Sequence, residues 1–310
     1  MAASLWRCSL PASTISPESV PVTAPVPDHA PEQPRASASL VLLRDGAAGM
    51  EVLLLRRHAN SRVHGGLHVF PGGKLDAADC AADALATLDQ DAATLHRRLG
   101  EPGLAPEHAA GIFLAALRET HEEAGLLLAE GATPARQAQL AAAQRSGQPL
   151  AVALRALGLR WQTRAVLPWS RWITPLNAGP RFDTRFFLAA LPPGQQASHD
   201  GHEATEAIWL SPRQALERHR ARELELLPPQ LMSLVQLARH ADLASARAEA
   251  MLRRPPCIQP EPVVVDGARA VCYPGDPLHP VRERALHGPT RLRWLSDRFE
   301  PFGGFDAWFD

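Results

Sequence analysis

Three glutamates, Glu119, Glu122 and Glu123, lie within the run Leu117-Arg118-Glu119-Thr120-His121-Glu122-Glu123-Ala124-Gly125-Leu126. Their spacing of i, i+3 and i+4 puts all three carboxylates on one face of a helix. Like charges at that spacing repel, and here they fall near the helix C-terminus, where the macrodipole disfavours anions. A solvated acidic face can carry that cost. A hard divalent cation, Mg2+ or Mn2+, removes it, because both ions take oxygen ligands.

Upstream lies a group of residues suited to an anion. Arg57 and Arg62 carry guanidiniums that can grip phosphate bidentately. Gly65-Gly66 lets backbone amides approach an anion, and Phe70-Pro71-Gly72-Gly73 follows closely. The competing reading is that Arg56, Arg57 and Arg62 are ordinary surface arginines at a strand end and loop.

These residues need elements to position them. Residues 39–43 and 51–55 are apolar runs separated by Asp45-Gly46 and Gly49, a hairpin pattern. Leu85, Leu88, Ala92, Leu95 and Leu99 predict a helix over 83–99, broken by residues 100–106. A second helix is predicted over 107–123, with Pro106 at its start and Gly125 at its exit. One or two helices are predicted over 135–158, strands at 185–191 and 207–210, and helices at 211–222 and 231–252. From Arg253 onward the chain is Pro-rich and reads as irregular, with one apolar run at 263–265.

Composition narrows the classes. Lys and Arg total 32 against 33 Asp and Glu, a balance that argues against a nucleic-acid binder or a polybasic membrane-surface protein. No apolar run approaches the roughly 20 residues of a transmembrane helix. The four cysteines form no C-x-x-C pair and point to a reducing compartment. Residues 1–35, with seven prolines and no periodicity, predict a disordered N-terminal tail. The C-terminus is Asp306-Ala307-Trp308-Phe309-Asp310, not a Ser-Lys-Leu type address, and the expected location is cytoplasmic.

The acidic run resembles the second half of the Nudix box, G-x5-E-x7-R-E-U-x-E-E-x-G-U, where U is bulky and aliphatic. Arg118, Glu119, Glu122, Glu123, Gly125 and Leu126 fall in place, with Thr120 at the first U. Gly73 followed by Asp79 resembles the first half, with Asp where the family has Glu. Residues 80–117 stand where the pattern allows seven, so a long insertion, centred on about 80–106, splits the box. Leu53-Leu54, Arg57, Arg62, Gly66 and Phe70-Pro71-Gly72-Gly73 are similar to the extra motif of the coenzyme A diphosphatase branch. Leu55 and His58 depart from it, standing where Thr and Ser or Ala are usual. Trp172-Ile173-Thr174-Pro175 and the run from Arg181 to Phe187 also resemble that branch.

The resemblance implies an α/β fold, the Nudix α/β/α sandwich with a mixed sheet, plus an inserted helical lobe. It implies a domain over 36–252, with 253–310 as an extension that either wraps the domain or forms a homodimer contact. It implies metal-dependent attack of water on a nucleoside diphosphate derivative, with Glu119, Glu122 and Glu123 as ligands of Mg2+ or Mn2+. Arg118 would orient a carboxylate, and Gly72 and Gly73 would let the loop fold against the helix. Glu122, Glu203 and Glu206 are all candidates for the general base. His121, which the box leaves free, is expected to face solvent, and Asp183 and Arg181 to line the pocket or form a salt bridge. The substrate would be coenzyme A or acyl-coenzyme A, giving 3′,5′-ADP and (acyl-)4′-phosphopantetheine. Two other readings remain open: another Nudix substrate, such as ADP-ribose or a dinucleotide, and a catalytically silent nucleotide sensor.

Overall fold

The apolar run around residue 40 becomes the middle of the protein. In a computed structural model, which describes residues 33–60, 65–176 and 180–310, β1 (Arg35–Gly46) and β2 (Gly49–Arg57) form the expected hairpin. Leu40, Leu42, Leu53 and Leu55 face one core, while Val41, Leu43, Val52 and Leu54 face a second. Burial on both faces is why these strands read as continuous aliphatic runs rather than alternating ones. The predicted tail lies almost wholly outside the described residues, as does Arg62.

Along the chain follow β3 (His68–Val69), β4 (Gly72–Lys74), α1 (Ala82–Leu85), α2 (Ala92–Leu99) and α3 (Pro106–Ala124). Next come β5 (Ala129–Glu130), α4 (Pro134–Arg145), α5 (Leu150–Ala156), β6 (Arg160–Trp161), β7 (Leu167–Ile173), β8 (Phe182–Ala190) and β9 (Ala204–Leu210). Then α6 (Pro212–Arg220), α7 (Pro228–Leu237), α8 (Leu243–Leu252) and β10 (Cys257–Ile258). The main sheet runs β10-β7-β8-β1-β2-β3, with β4 also on β1 and β9 also on β2. Pairs β1–β8 and β7–β10 are parallel and the rest antiparallel, so the sheet is mixed. Helices α2 and α3 pack on one face and α6, α7 and α8 on the other, which makes an α/β/α sandwich.

One edge of β1 changes partner. Residues 43–46 pair with β2, whereas residues 37–39 pair with β4. The Ser39 hydroxyl and the Leu40 N–H both donate to the Pro71 carbonyl, at 3.0 and 2.8 Å, fixing the chain where it enters β4. The sheet forks there, and the last two turns of α3 lie against the fork.

The periodicity over 83–99 predicts one helix, but the chain forms α1 and α2. Asp91 caps α2 by accepting the Thr94 N–H at 2.7 Å. Asp89, buried in the break, accepts the Thr163 N–H at 2.8 Å and the Thr163 hydroxyl. A buried carboxylate needs such donors, and the interruption turns it towards them. The helix predicted over 231–252 likewise divides into α7 and α8, because Asp242 and Ser245 form a capping box between them.

The C-terminal residues correct the expectation of irregular structure. An antiparallel meander, β11 (Glu261–Val265), β12 (Ala268–Cys272), β13 (Arg291–Leu295) and β14 (Arg298–Pro301), forms there. The fully buried Asp276 accepts from Arg291 at 2.7 and 2.9 Å and from Thr290 at 2.7 Å. Tyr273, Leu292 and Trp308 join the second core. Among the described residues no helix is long and apolar enough to cross a membrane.

The insertion is anchored by charge. Glu101, between α2 and α3, accepts from Arg185 at 2.9 and 2.6 Å and pairs with Arg171 at 2.9 Å. Asp183 accepts two bonds from Arg171 at 2.8 Å and pairs with Arg185, so it is part of a salt-bridge network. Arg185 is buried but stays paired with Asp183, so losing its bonds to Glu101 costs what a hydrogen bond to a charged group is worth, about 1.5–3 kcal/mol. Glu101→Ala is therefore expected to lower unfolding free energy by an amount in that range. A urea titration of the two proteins, compared at equal m-value, checks it.

Candidate active site

Helix α3 is buried from Ala109 to Leu117 and turns polar at residue 118. It ends at Gly125, which adopts φ +67° and donates its N–H to the His121 carbonyl at 3.1 Å. A left-handed exit of this kind favours glycine, and it stops the helix just after Glu123. The three glutamates therefore sit in the last two turns, as their spacing predicts.

Arg118 holds the region together. Its Nε and one terminal nitrogen donate to the two oxygens of Asp79, both at 2.9 Å. The other terminal nitrogen donates to Glu119 at 2.8 Å and Glu122 at 2.9 Å. A further bond reaches the Lys74 carbonyl at 3.1 Å. Burial opposes the Arg118 charge, but bonds and attraction from Asp79, Glu119 and Glu122 outweigh it and strengthen its hold on the proton. Asp79 is itself buried and also accepts the Asp76 N–H at 2.9 Å, capping a short 3-10 helix.

The glycines act by close approach. A Cβ at Gly73 would overlap the Glu119 carboxylate, and one at Gly72 would overlap the Ala38 carbonyl. The Gly72 N–H donates to Glu123 at 2.9 Å. Burial raises the Glu123 pKa from 4.5 to about 8, with Glu119 and Glu203 adding to it and the Gly72 N–H and Arg57 opposing. Burial likewise raises Glu119; Glu122 and Glu203 add to this and Arg118 offsets it in part. Arg57 stands 3.8 Å from Glu123, and its buried Nε–H has no hydrogen-bond partner among the described residues.

The remaining candidates divide by position. Glu203 lies in the loop before β9, close enough to raise both Glu119 and Glu123. Glu206 belongs to the opposite face. It is paired with Arg56 and stands 4.0 Å from His68, in the row that continues to Leu54 and Ile208. Burial lowers the His68 pKa to about 4, so near neutral pH that contact is no ion pair. The Gly66 N–H donates to the Arg57 carbonyl at 3.2 Å, so that amide is spent on the turn rather than offered to an anion. His121 corrects its expectation. It sits under α4, 3.1 Å from Gln144, and packs edge-on to Trp161.

Sequence reasoning missed Gln195 and Ser198, which tie the loop carrying Glu203 to the end of α3, and Asp200, which accepts from the N–H groups of residues 202–204 within it. The one available signal was Asp200-Gly201, a turn dipeptide. Among the described residues no three Asp, Glu, His or Cys side chains stand gathered around a point that could hold a cation. Arg118 engages Glu119 and Glu122, while Glu123 faces Gly72 and Arg57. The donor chemistry nevertheless fits a hard cation. All three are carboxylates, and Glu119 and Glu123 are desolvated and repel each other, a cost that a divalent ion relieves.

Comparison with known proteins gives concordant results. A family model described as the NUDT19 Nudix domain matches residues 22–237. The chain is 32% identical to acyl-coenzyme A diphosphatase NUDT19 of Gallus gallus, over 78% of this chain and 79% of that protein. It is 24% identical to putative nudix hydrolase 7 of Caenorhabditis elegans, over 83% and 78% respectively. The crystal structure of a NUDIX hydrolase from Alicyclobacillus acidocaldarius matches with a TM-score of 0.56 at 29% identity, over 70% of this chain and 96% of that one.

The Glu123 shift has a defined sign. Between pH 4.5 and about 8 the folded protein keeps a proton that the unfolded chain releases, so its stability falls as pH rises through that window. Glu123→Gln removes this titration while its carboxamide oxygen can still accept from Gly72. The melting temperature of the variant minus that of wild type, in EDTA, is expected to increase from pH 5 to pH 8 and then level off. A difference independent of pH would refute the assignment.

Proposed function

The chain belongs to the Nudix hydrolases, in the family of the NUDT19 Nudix domain, and on that premise we propose that it is a metal-dependent pyrophosphohydrolase of coenzyme A or acyl-coenzyme A. The products would be 3′,5′-ADP and (acyl-)4′-phosphopantetheine. The observation that carries this reading is that Arg57, whose Nε–H has no hydrogen-bond partner among the described residues, stands 3.8 Å from Glu123 on the helix that also carries Glu119 and Glu122. Support for the substrate class comes from the motif that supplies Arg57 and from the name borne by the Gallus gallus relative.

Hydrolysis forms a bond from water oxygen to one phosphorus and breaks that phosphorus's bond to the bridging oxygen. Arg57 is assigned a phosphate oxygen through its guanidinium, and Arg62 a second grip by the motif alone. Glu119, Glu122 and Glu123 would hold Mg2+ or Mn2+, which when bound supplies charge stabilisation and a more acidic water. Arg118 keeps Glu119 and Glu122 in register with the loop through Asp79. Glu203 accepts the proton of the attacking water. It is the one candidate base that lies near Glu119 and Glu123 yet outside the Arg118 network, whereas Glu206 faces the other side of the sheet. We assign the catalytic domain to residues 36–252, with about 80–106 inserted and 253–310 appended.

Two measurements test this. Chromatography after incubation with coenzyme A and Mg2+ or Mn2+ is expected to show 3′,5′-ADP, with a rate about 100-fold lower in Glu122→Gln. Cleavage of ADP-ribose with coenzyme A left intact would move the substrate assignment elsewhere within the family. Nucleotide binding without turnover would make the protein a sensor. Independently, Mg2+ is expected to raise the melting temperature of wild type at pH 8, and to do so far less in Glu119→Gln and Glu123→Gln.

A further inference from the structure

Residues 191–203, between β8 and β9, contain no helix or strand, yet their backbone is tied at several points. The Gln195 side chain imitates a strand partner. Its carboxamide N–H donates to the Leu127 carbonyl at 2.9 Å, and its carboxamide oxygen accepts the Leu127 N–H at 2.8 Å. The Ser198 N–H donates to the carbonyl of Ala124, the last residue of α3, at 3.0 Å. Asp200 then accepts from the N–H groups of His202 at 3.1 Å, Glu203 at 3.0 Å and Ala204 at 2.8 Å. Beyond the turn, the Glu203 carbonyl accepts the His58 N–H at 2.8 Å, and Ala204 is buried in the α3-side core.

These ties share a reference point. Leu127 and Ala124 flank Gly125, where α3 releases the chain immediately after Glu123. The loop is therefore measured from the helix that carries Glu119 and Glu123, while Asp200 sets the backbone of Glu203 itself. An untied loop would spread Glu203 over many positions, because ordering each residue costs roughly 1–2 kcal/mol. Placement of a catalytic group matters at the scale of an ångström.

We propose that Gln195 and Asp200 are positioning residues, which fix Glu203 against the carboxylates at the end of α3. This rests on Glu203 as the proton acceptor, and its test separates the two ideas. The full chain is prepared as wild type, Asp200→Ala, Asp200→Asn, Gln195→Leu, Glu203→Gln and the double variant Asp200→Ala/Glu203→Gln. Steady-state hydrolysis of coenzyme A with Mg2+ gives kcat and KM, and hydrogen exchange over residues 201–205 is followed in metal-free protein.

Asp200→Ala and Gln195→Leu are expected to lower kcat about tenfold while KM stays within about twofold. Asp200→Asn should recover most of the rate, since its carboxamide oxygen still accepts from the backbone. The Asp200→Ala defect should vanish in the Glu203→Gln background, as it must if Asp200 acts through Glu203. Exchange over 201–205 should be about tenfold faster in Asp200→Ala, whatever the substrate proves to be. Unchanged exchange, or an Asp200→Ala defect of equal size in both backgrounds, overturns the proposal. A slow Glu203→Gln beside a fully active Asp200→Ala overturns positioning but leaves Glu203 as base. A fully active Glu203→Gln removes both.

Discussion

The Arg118 guanidinium joins parts of the chain that the insertion would otherwise leave independent. Its five N–H donors lie in a rigid planar fork. Satisfying them with Asp79, the Lys74 carbonyl, Glu119 and Glu122 fixes the exit of β4 against the last two turns of α3. Because loop closure becomes only slowly costlier with length, the segment between Asp79 and Arg118 can be long without loosening this contact. The inserted residues are separately tied down through Glu101 and Asp89. Arg118 also divides the acidic cluster. It bonds Glu119 and Glu122 directly, leaving Glu123 with a backbone amide and a more distant arginine, which do not offset the burial that raises its pKa.

A second constraint comes from the sheet. β9 pairs with β2 through a register shift at Arg56 and Arg57. On one side of the shift Arg57 and Ala204 face the α3 core; on the other, Arg56, Glu206 and His68 face the α6–α7 core. A bulge of this kind re-aims side chains beside a site. Here it puts Ala204 and Ala207, three residues apart, on the same α3 side, while Glu206 between them faces the other way and Glu203 precedes the strand, in the turn closed by Asp200.

Much of the local structure was legible because it rests on short-range signals. The β1–β2 hairpin, the limits of α3 and the facing of its three glutamates follow from turn dipeptides, Pro106, Gly125 and helical spacing. The misjudged elements share one cause. Asp89, Asp91 and Asp242 interrupt periodic apolar runs because each carboxylate takes donors that a continuing helix would deny it. The C-terminal meander was hidden because its strands are short and rich in Arg, and its buried centre is the polar Asp276 rather than an apolar stretch.

The sequence by itself determined the family, the carboxylate set on α3 and the arginine upstream, since these depend on residue type and spacing along one chain. Only the tertiary structure brought Asp79 across the insertion into a bidentate pair with Arg118. Only it distinguished Glu203 from Glu206, because Glu206 lies within β9 on the α6–α7 side while Glu203 stands before the strand with its backbone held by Asp200. It also brought Gln195 to the chain leaving α3 and turned Asp200 onto the backbone of residues 202–204, through bonds to backbone atoms that carry no signature in residue type.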